Sequence, residues 1–95
     1  IHGYGASTKG NVILQYFNIN KKNIKFISDR NPFKFNRYTP GTKIKIISEK
    51  KSRNLKPNYY FVLPWHFKKE ILKREYKIRK KNTKFIFPLP KFSIF

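Results

Sequence analysis

The sequence predicts an α/β fold, built as a single small domain with a mostly parallel, five-stranded sheet flanked by helices. Three observations indicate this class. The chain has only 95 residues, 39% of them are hydrophobic, and short runs of strand-forming residues alternate with helical patterns. Such alternation requires crossover connections and therefore a largely parallel sheet. A chain of this length forms one domain, residues 1–95.

The first half of the chain predicts three strands and one helix. Residues 1–5 have the pattern of a strand that ends in a glycine turn, and the apolar residues of 8–18 suit a helix packed on a sheet. Segment 24–29 predicts a second strand, and 30–41, which contains two prolines, predicts a long loop. In 42–47 isoleucines alternate with lysines, which is typical of a half-exposed edge strand.

The second half predicts two further strands. Residues 48–56 suit a turn or two of helix capped by Ser48, and 59–63 is a continuous apolar run typical of a central parallel strand. A long helix is predicted over 65–81, and a last strand over 84–87, closed by two prolines. The resulting order, β-α-β-β-α-β-α-β, predicts a small Rossmann-like domain.

The chain is strongly basic. Its 23 basic and 4 acidic residues give a formal charge of +19, which is typical of proteins that bind nucleic acid or anionic membranes. However, 18 of the basic residues are lysine, whereas arginine is the residue that binds phosphates and bases bidentately. Because lysine, asparagine and isoleucine are all abundant, we interpret the charge as the product of AT-rich coding. We expect no specific nucleic-acid partner; a small basic nucleic-acid-binding module is the alternative.

Several classes of site are unsupported by the composition. Cysteine is absent, which excludes disulfides and thiolate metal sites, and two histidines with four acids leave little for acid-base chemistry. We therefore predict no catalytic and no metal-ligating residue in this chain. No apolar run approaches the ~20 residues of a membrane span, and no leader pattern precedes the first strand. We expect a cytoplasmic protein without a membrane partner.

A glycine turn, GYGASTKGN at residues 3–11, lies between the first strand and the first helix. Glycines there let the backbone approach an anion, which the free N–H groups of the helix N-terminus would bind. Thr8 replaces the third glycine of the dinucleotide fingerprint, although Asp29 ends the second strand as that fingerprint requires. Asn11 stands where a P-loop requires lysine. The turn predicts an anion site; a nucleotide-binding regulatory domain and a purely structural turn are the alternatives.

The second candidate region is the turn after the fourth strand, where Trp65 and His66 follow Pro64. Open α/β sheets bind ligands at the carboxyl ends of their strands, which makes His66 the better candidate of the two histidines. His2 is predicted to be a strand residue. For both histidines a structural role is the alternative interpretation.

Four strings, in this order and spacing, resemble a known family. They are GYGASTKGN at 3–11, SDRNPFKFNRYTPGT at 28–42, VLPWHF at 62–67 and KFIFPLP at 84–90. Together they resemble the C-terminal domain of sugar C-methyltransferases that depend on S-adenosylmethionine, and the resemblance covers nearly the whole chain. His66 departs from the family pattern. Arg74 and Glu75 depart from it as well, which implies an altered contact with the other domains.

The resemblance implies that a zinc-binding segment and a middle domain, both absent from this chain, lie upstream. The middle domain would bind S-adenosylmethionine and supply the catalytic base, so this chain would be inactive alone. A nucleoside-diphosphate deoxysugar would lie between the middle domain and this one. The candidate substrate-binding residues, taken from the family motifs and the two turns, are Tyr4, Gly5, Ser7, Thr8, Lys9, Asn11, Asp29, Arg30, Asn31, Trp65 and His66.

Overall fold

A six-stranded sheet runs through the centre of the computed structural model, which describes residues 1–95. The strands are β1 (His2–Tyr4), β2 (Phe26–Asp29), β3 (Lys45–Ser48), β4 (Tyr59–Val62), β5 (Lys84–Phe87) and β6 (Ser93–Ile94). The helices are α1 (Thr8–Tyr16), α2 (Glu49–Asn54), α3 (Lys68–Arg74) and α4 (Tyr76–Lys80). Two short 3-10 turns lie at Pro32–Lys34 and Trp65–Phe67.

The strand order is β3-β2-β1-β4-β5-β6. All neighbours pair in parallel except β5 and β6, which are antiparallel. The first strand lies in the middle of the sheet, where Gly3 is in register with Ile27 of β2 on one side and Phe61 of β4 on the other. The winding therefore reverses beside β1, and the loops that follow β1 and β4 meet at one edge, the carboxyl edge of the parallel strands.

Each face of the sheet carries its own apolar cluster, because side chains alternate along a strand. One cluster is covered by α1 and consists of Ala6, Leu14, Ile24, Ile27, Ile44, Ile46 and Leu63. The other is covered by α3 and consists of Tyr4, Tyr60, Val62, Ile71, Phe85 and Phe87. With both faces covered, β4 is the central parallel strand that its apolar run predicts, and β3 is the predicted edge strand.

The prediction of five strands misses β6. After the prolines that follow β5, the chain turns back, and Phe95 exchanges two backbone hydrogen bonds with Phe85. The ammonium group of Lys68 lies 4.2 Å from the centre of the Phe95 ring, which ties the returning segment to α3. A two-residue strand is too short to produce a sequence pattern, so this pairing depends on contacts that form only in the folded chain.

The single helix predicted over 65–81 is divided into a 3-10 turn and two helices. The break lies at Glu75, whose φ of −98° and ψ of 19° leave the helical region. The Glu75 side chain is buried, with only 3% of the residue exposed. Polar contacts of this side chain with residues distant in the sequence hold the break, so the local periodicity of 65–81 does not predict it. Asn82, at a φ of 93°, ends this helical region in the left-handed conformation.

Other boundaries also differ from the predicted ones: β2 begins at Phe26 instead of residue 24, and β4 ends at Val62 instead of residue 63. The first helix ends at Tyr16 instead of residue 18, and β3 begins at Lys45 instead of residue 42. Before β3, the hydroxyl of Thr39 bonds the hydroxyl of Thr42 and accepts from the backbone N–H of Ile44. These side-chain bonds hold residues 39–44 in a turn that replaces the first part of the predicted strand.

Gly10 allows α1 to lie close to the end of β4. A Cβ atom at this position would lie 2.5 Å from the Cβ atom of Leu63. The Leu63 Cβ atom is bonded directly to the backbone and therefore cannot move away without a shift of β4 or α1. We expect Gly10→Ala to lower the free energy of unfolding by about 1–2 kcal/mol, because overpacking outweighs the better helix propensity of alanine. Urea denaturation measures the change. Val12→Ala, on the exposed side of the same helix, should stay within about 0.5 kcal/mol, and equal losses in the two variants would contradict the packing argument.

Candidate functional site

A cleft of about 330 Å³ opens at the carboxyl edge of the sheet, between α3 and the loops that follow β1, β2 and β4. This is the place where the winding of the sheet reverses, and open α/β sheets bind ligands there. Its walls hold few apolar side chains. The polar residues are Tyr4, Ser28, Asp29, Arg30, Glu49, Glu70 and Arg74. The exposed ring of Phe67 and the side chains of Pro64 and Ile71 complete it.

The structure brings four of the eleven candidate residues into this cleft: Tyr4, Gly5, Asp29 and Arg30. The other seven lie outside it, on the helix and turns around the same edge: Ser7, Thr8, Lys9, Asn11, Asn31, Trp65 and His66. The glycine loop after β1 and the ends of β2 and β4 therefore lie at the same edge of the sheet, but only some of their candidate residues line the cleft.

The glycines of the first loop are packed against the protein's own chain. Gly5 has a φ of +84°, and a Cβ atom there would lie 2.8 Å from the Cδ of Pro64. The space beside Gly10 is likewise occupied by the side chain of Leu63. The close approach that a dinucleotide fingerprint reserves for a pyrophosphate is thus taken up by β4 and the turn that follows it.

The N-terminus of α1 nevertheless leaves hydrogen-bond donors free. The Ser7 side chain caps the helix by accepting from the N–H of Gly10, at 3.0 Å. The backbone N–H groups of Ser7, Thr8 and Lys9 have no acceptor within the chain. Thr8 and Lys9 are exposed and Ser7 is half-buried, at the same edge of the sheet as the cleft. This is the arrangement that binds anions at helix N-termini.

Asn11 connects α1 to the loop before β3. Its amide nitrogen donates to the carbonyl oxygen of Pro40 at 2.9 Å, and its amide oxygen accepts from the Thr42 hydroxyl at 2.8 Å. Both ends of the side chain are therefore engaged inside the domain. Asn11 therefore positions the loop that contains Pro40 and Thr42.

Asp29 organises the loops that follow β1 and β2. Its carboxylate accepts from the backbone N–H groups of Ala6 and Asn31, each at 2.8 Å, and lies 3.9 Å from the ammonium of Lys34. Lys34 also donates to the carbonyl oxygen of Ala6 at 2.6 Å. The side chain of Asn31 caps the short turn that follows by accepting from Phe33. Asp29, at the position where the dinucleotide fingerprint has its ribose-binding acid, holds the two loops together here.

All four acidic residues of this basic chain gather at the carboxyl edge. Asp29, Glu49 and Glu70 line the cleft, and Glu75 lies directly behind it. Glu49 pairs with Arg74, whose Nη2 atom is 2.6 Å from the carboxylate. Glu49 and Glu70 lie outside the motifs that the sequence predicts as functional, and Glu75 is buried inside the domain. The available signal was scarcity, because each acid in a chain of charge +19 is a candidate for a specific role.

Tyr4 connects the cleft to the interior. Its hydroxyl donates to the Glu75 carboxylate at 2.5 Å, and both oxygens of that carboxylate accept from Nη2 of Arg53 at 2.7 Å. Burial, followed by the bond to Glu75, raises the pKa of the Tyr4 hydroxyl well above its usual range. Tyr4 therefore remains a neutral donor, locked in place at the floor of the cleft.

Trp65 and His66 have different surroundings. Trp65 packs against the apolar cluster under α3, whereas His66 is exposed and its ring lies 4.3 Å from that of Phe67, centroid to centroid. Phe67, and neither Trp65 nor His66, contributes an aromatic ring from this turn to the wall of the cleft.

No helix in the structure is both long and apolar enough to cross a membrane. No group of three histidine, aspartate or glutamate side chains is arranged to hold a metal ion. The polar cleft and the free N–H groups of residues 7–9 are the features at this edge that suit a ligand.

Comparisons with known proteins agree with the four sequence motifs. Residues 1–90 match the family model described as the C-methyltransferase C-terminal domain. Over 90 residues, 95% of the chain, the sequence is 33% identical to the C-methyltransferase NovU of Streptomyces niveus. The chain spans about a fifth, 21%, of the length of that relative. Together these matches confirm the expected family: the chain belongs to the C-terminal domains of C-methyltransferases.

Proposed function

We propose that this chain is the nucleotide-sugar side of a sugar C-methyltransferase and that it positions a nucleoside-diphosphate deoxysugar for methylation. The observation that carries the proposal is the set of three free N–H groups at the start of α1, next to a polar cleft at the carboxyl edge of the sheet. The order β3-β2-β1-β4-β5 supports the Rossmann-like assignment, because doubly wound nucleotide-binding sheets share it.

The two parts of such a ligand have separate partners. The diphosphate suits the N–H groups of residues 7–9 together with the ammonium of Lys9, and Arg30 offers a second exposed cation at the end of β2. The sugar hydroxyls suit the cleft, where Glu70 has no partner within the chain and its carboxylate accepts hydrogen bonds. Arg74, held by Glu49, adds donors on the same wall.

S-adenosylmethionine, the methyl donor that the family implies, does not fit the glycine loop of this chain. The space beside Gly5 and Gly10 is filled by Pro64 and Leu63, so no backbone cradle is open there. We therefore propose that another part of the enzyme binds the donor and supplies the base. This chain contributes binding and orientation, which lower the barrier by placing the reacting carbon correctly.

A titration with a nucleoside diphosphate, followed through the backbone amide signals by NMR, tests the proposal. We expect shifts concentrated at residues 5–11 and 29–31, with weak affinity, of roughly millimolar dissociation constant, since one domain forms only half of a cleft. Lys9→Ala should weaken binding roughly three- to tenfold, because it removes one partly solvated charge-assisted contact.

Lys77→Ala, on the exposed surface of α4, provides the matched control because it removes the same charge far along the chain from the loop. It should leave the affinity almost unchanged. Equal weakening by both variants, or shifts spread evenly over the lysine-rich surface, would show that the loop is only a structural turn. A nucleoside-diphosphate hexose should shift Glu70 and Arg74 in addition, and the nucleoside diphosphate alone should not.

A further inference from the structure

A second cavity lies at the opposite edge of the sheet from the cleft, where β4 and β5 begin. Its volume is about 490 Å³, within the range of small-molecule sites. Tyr60, a buried residue with 2% of its surface exposed, lines it, and α4 contributes Ile78. None of the four family motifs falls on it. We refer to this space as the basic cavity.

The charges around the basic cavity are of one sign. Arg53, Lys56 and Lys81 line it, and no carboxylate does. All four acids of the chain lie at or behind the cleft, so Lys56 and Lys81 have no ion pair. Positive charges around a concave wall focus their potential into the cavity and raise the local concentration of anions.

Hydrogen-bond donors are also available and held in place. Arg53 uses only Nη2 to bind Glu75, which leaves its Nε and Nη1 groups without an acceptor while the guanidinium is anchored. The side-chain amides of Asn58 and Asn82, which line the same space, make no hydrogen bond within the chain. An anchored arginine with free donors loses little entropy when it binds an anion.

We propose that the basic cavity binds a small molecule that carries a phosphate group. A phosphate matches several cations and amide donors at once, because it offers three acceptor oxygens and up to two charges. The cavity is concave and has a volume of about 490 Å³, which suits a small ligand better than a nucleic-acid duplex. This site is separate from the cleft and does not depend on the function proposed for it.

An NMR titration of the full 95-residue chain with pyrophosphate, in about 0.15 M salt to suppress diffuse attraction, tests the proposal. We expect shifts of the backbone amide signals of Lys56, Asn58 and residues 81–83. The variant with Lys56→Gln and Lys81→Gln should bind pyrophosphate roughly tenfold more weakly, through the loss of two charge-assisted contacts at partly exposed positions. A matched control with Lys21→Gln and Lys22→Gln removes two charges from the exposed turn after α1 and should change affinity less than about twofold.

The remaining outcomes would overturn the proposal. If both double variants lose the same affinity, the attraction is a property of the total charge. If the shifts appear only at residues 5–11, pyrophosphate binds at the start of α1, which would favour the function proposed above and leave the basic cavity without a ligand. Absence of binding at millimolar pyrophosphate would also contradict the proposal.

Discussion

Replacement of Glu75 by alanine should lower the free energy of unfolding by about 2–4 kcal/mol. The carboxylate is 3% exposed and accepts from the hydroxyl of buried Tyr4 and from Arg53. Its removal leaves the Tyr4 hydroxyl without a partner, which costs about 1–3 kcal/mol, and breaks a buried ion pair. The second contribution is reduced because the Arg53 side chain is 38% exposed and water can solvate it.

Glu70→Ala is the matched control, since Glu70 is exposed and has no ion pair. Chemical denaturation should place this variant within about 0.5 kcal/mol of the parent. A double-mutant cycle of Tyr4→Phe with Glu75→Ala removes the contact from each side and should give a coupling of about 1 kcal/mol or more. Similar losses for Glu70→Ala and Glu75→Ala, or zero coupling in the cycle, would contradict the role assigned to Glu75.

Acidification should destabilise the domain through His2. Burial, together with the positive charges of the Ile1 amino group and Lys25, lowers the pKa of His2 from 6.5 to about 4. The imidazole is 7% exposed and shares a 2.7 Å hydrogen bond with the hydroxyl of Ser52, which bonds Tyr60 in turn. The folded protein therefore holds His2 neutral at a pH where the unfolded chain already protonates it.

The sign follows from proton binding. Well above pH 6.5 His2 is neutral in both states, and its contribution to stability is fully present. As the pH falls from 6.5 to about 4, the unfolded state binds the extra proton, and we expect a loss of about 2–3 kcal/mol. Denaturation midpoints measured across this interval should fall. His2→Gln should flatten the profile relative to the parent, and His66→Gln, at an exposed position, should leave it unchanged.

A direct NMR titration of the His2 ring protons checks the same prediction without a variant. The ring should show no protonation step above about pH 5. A titration midpoint near 6.5 would contradict the buried environment, whatever the behaviour of His2→Gln.

The sequence alone was sufficient for the family and for most of the architecture. Apolar runs such as 59–63 and alternating ones such as 42–47 depend on local periodicity, and the strands they predict are present in the central and edge positions expected. Caps are equally local: Ser48 accepts from the N–H of Lys51 at the start of α2, as its position predicts. The α/β class and the parallel core of the sheet follow from this local information.

The tertiary structure decided which polar groups meet. Glu75 lies in a segment whose periodicity predicts an unbroken helix, yet 71 positions of chain separate it from Tyr4, its hydrogen-bond partner. Glu49 and Arg74 are likewise distant in sequence and paired in space. Gly5 lies in a segment with the composition of a phosphate-binding loop. Only the position of Pro64 in the fold shows that the space beside Gly5 is occupied by the protein itself. Such pairings depend on how the crossover connections bring the ends of separate strands to one edge of the sheet. A local pattern in a single sequence does not predict which distant residues become neighbours.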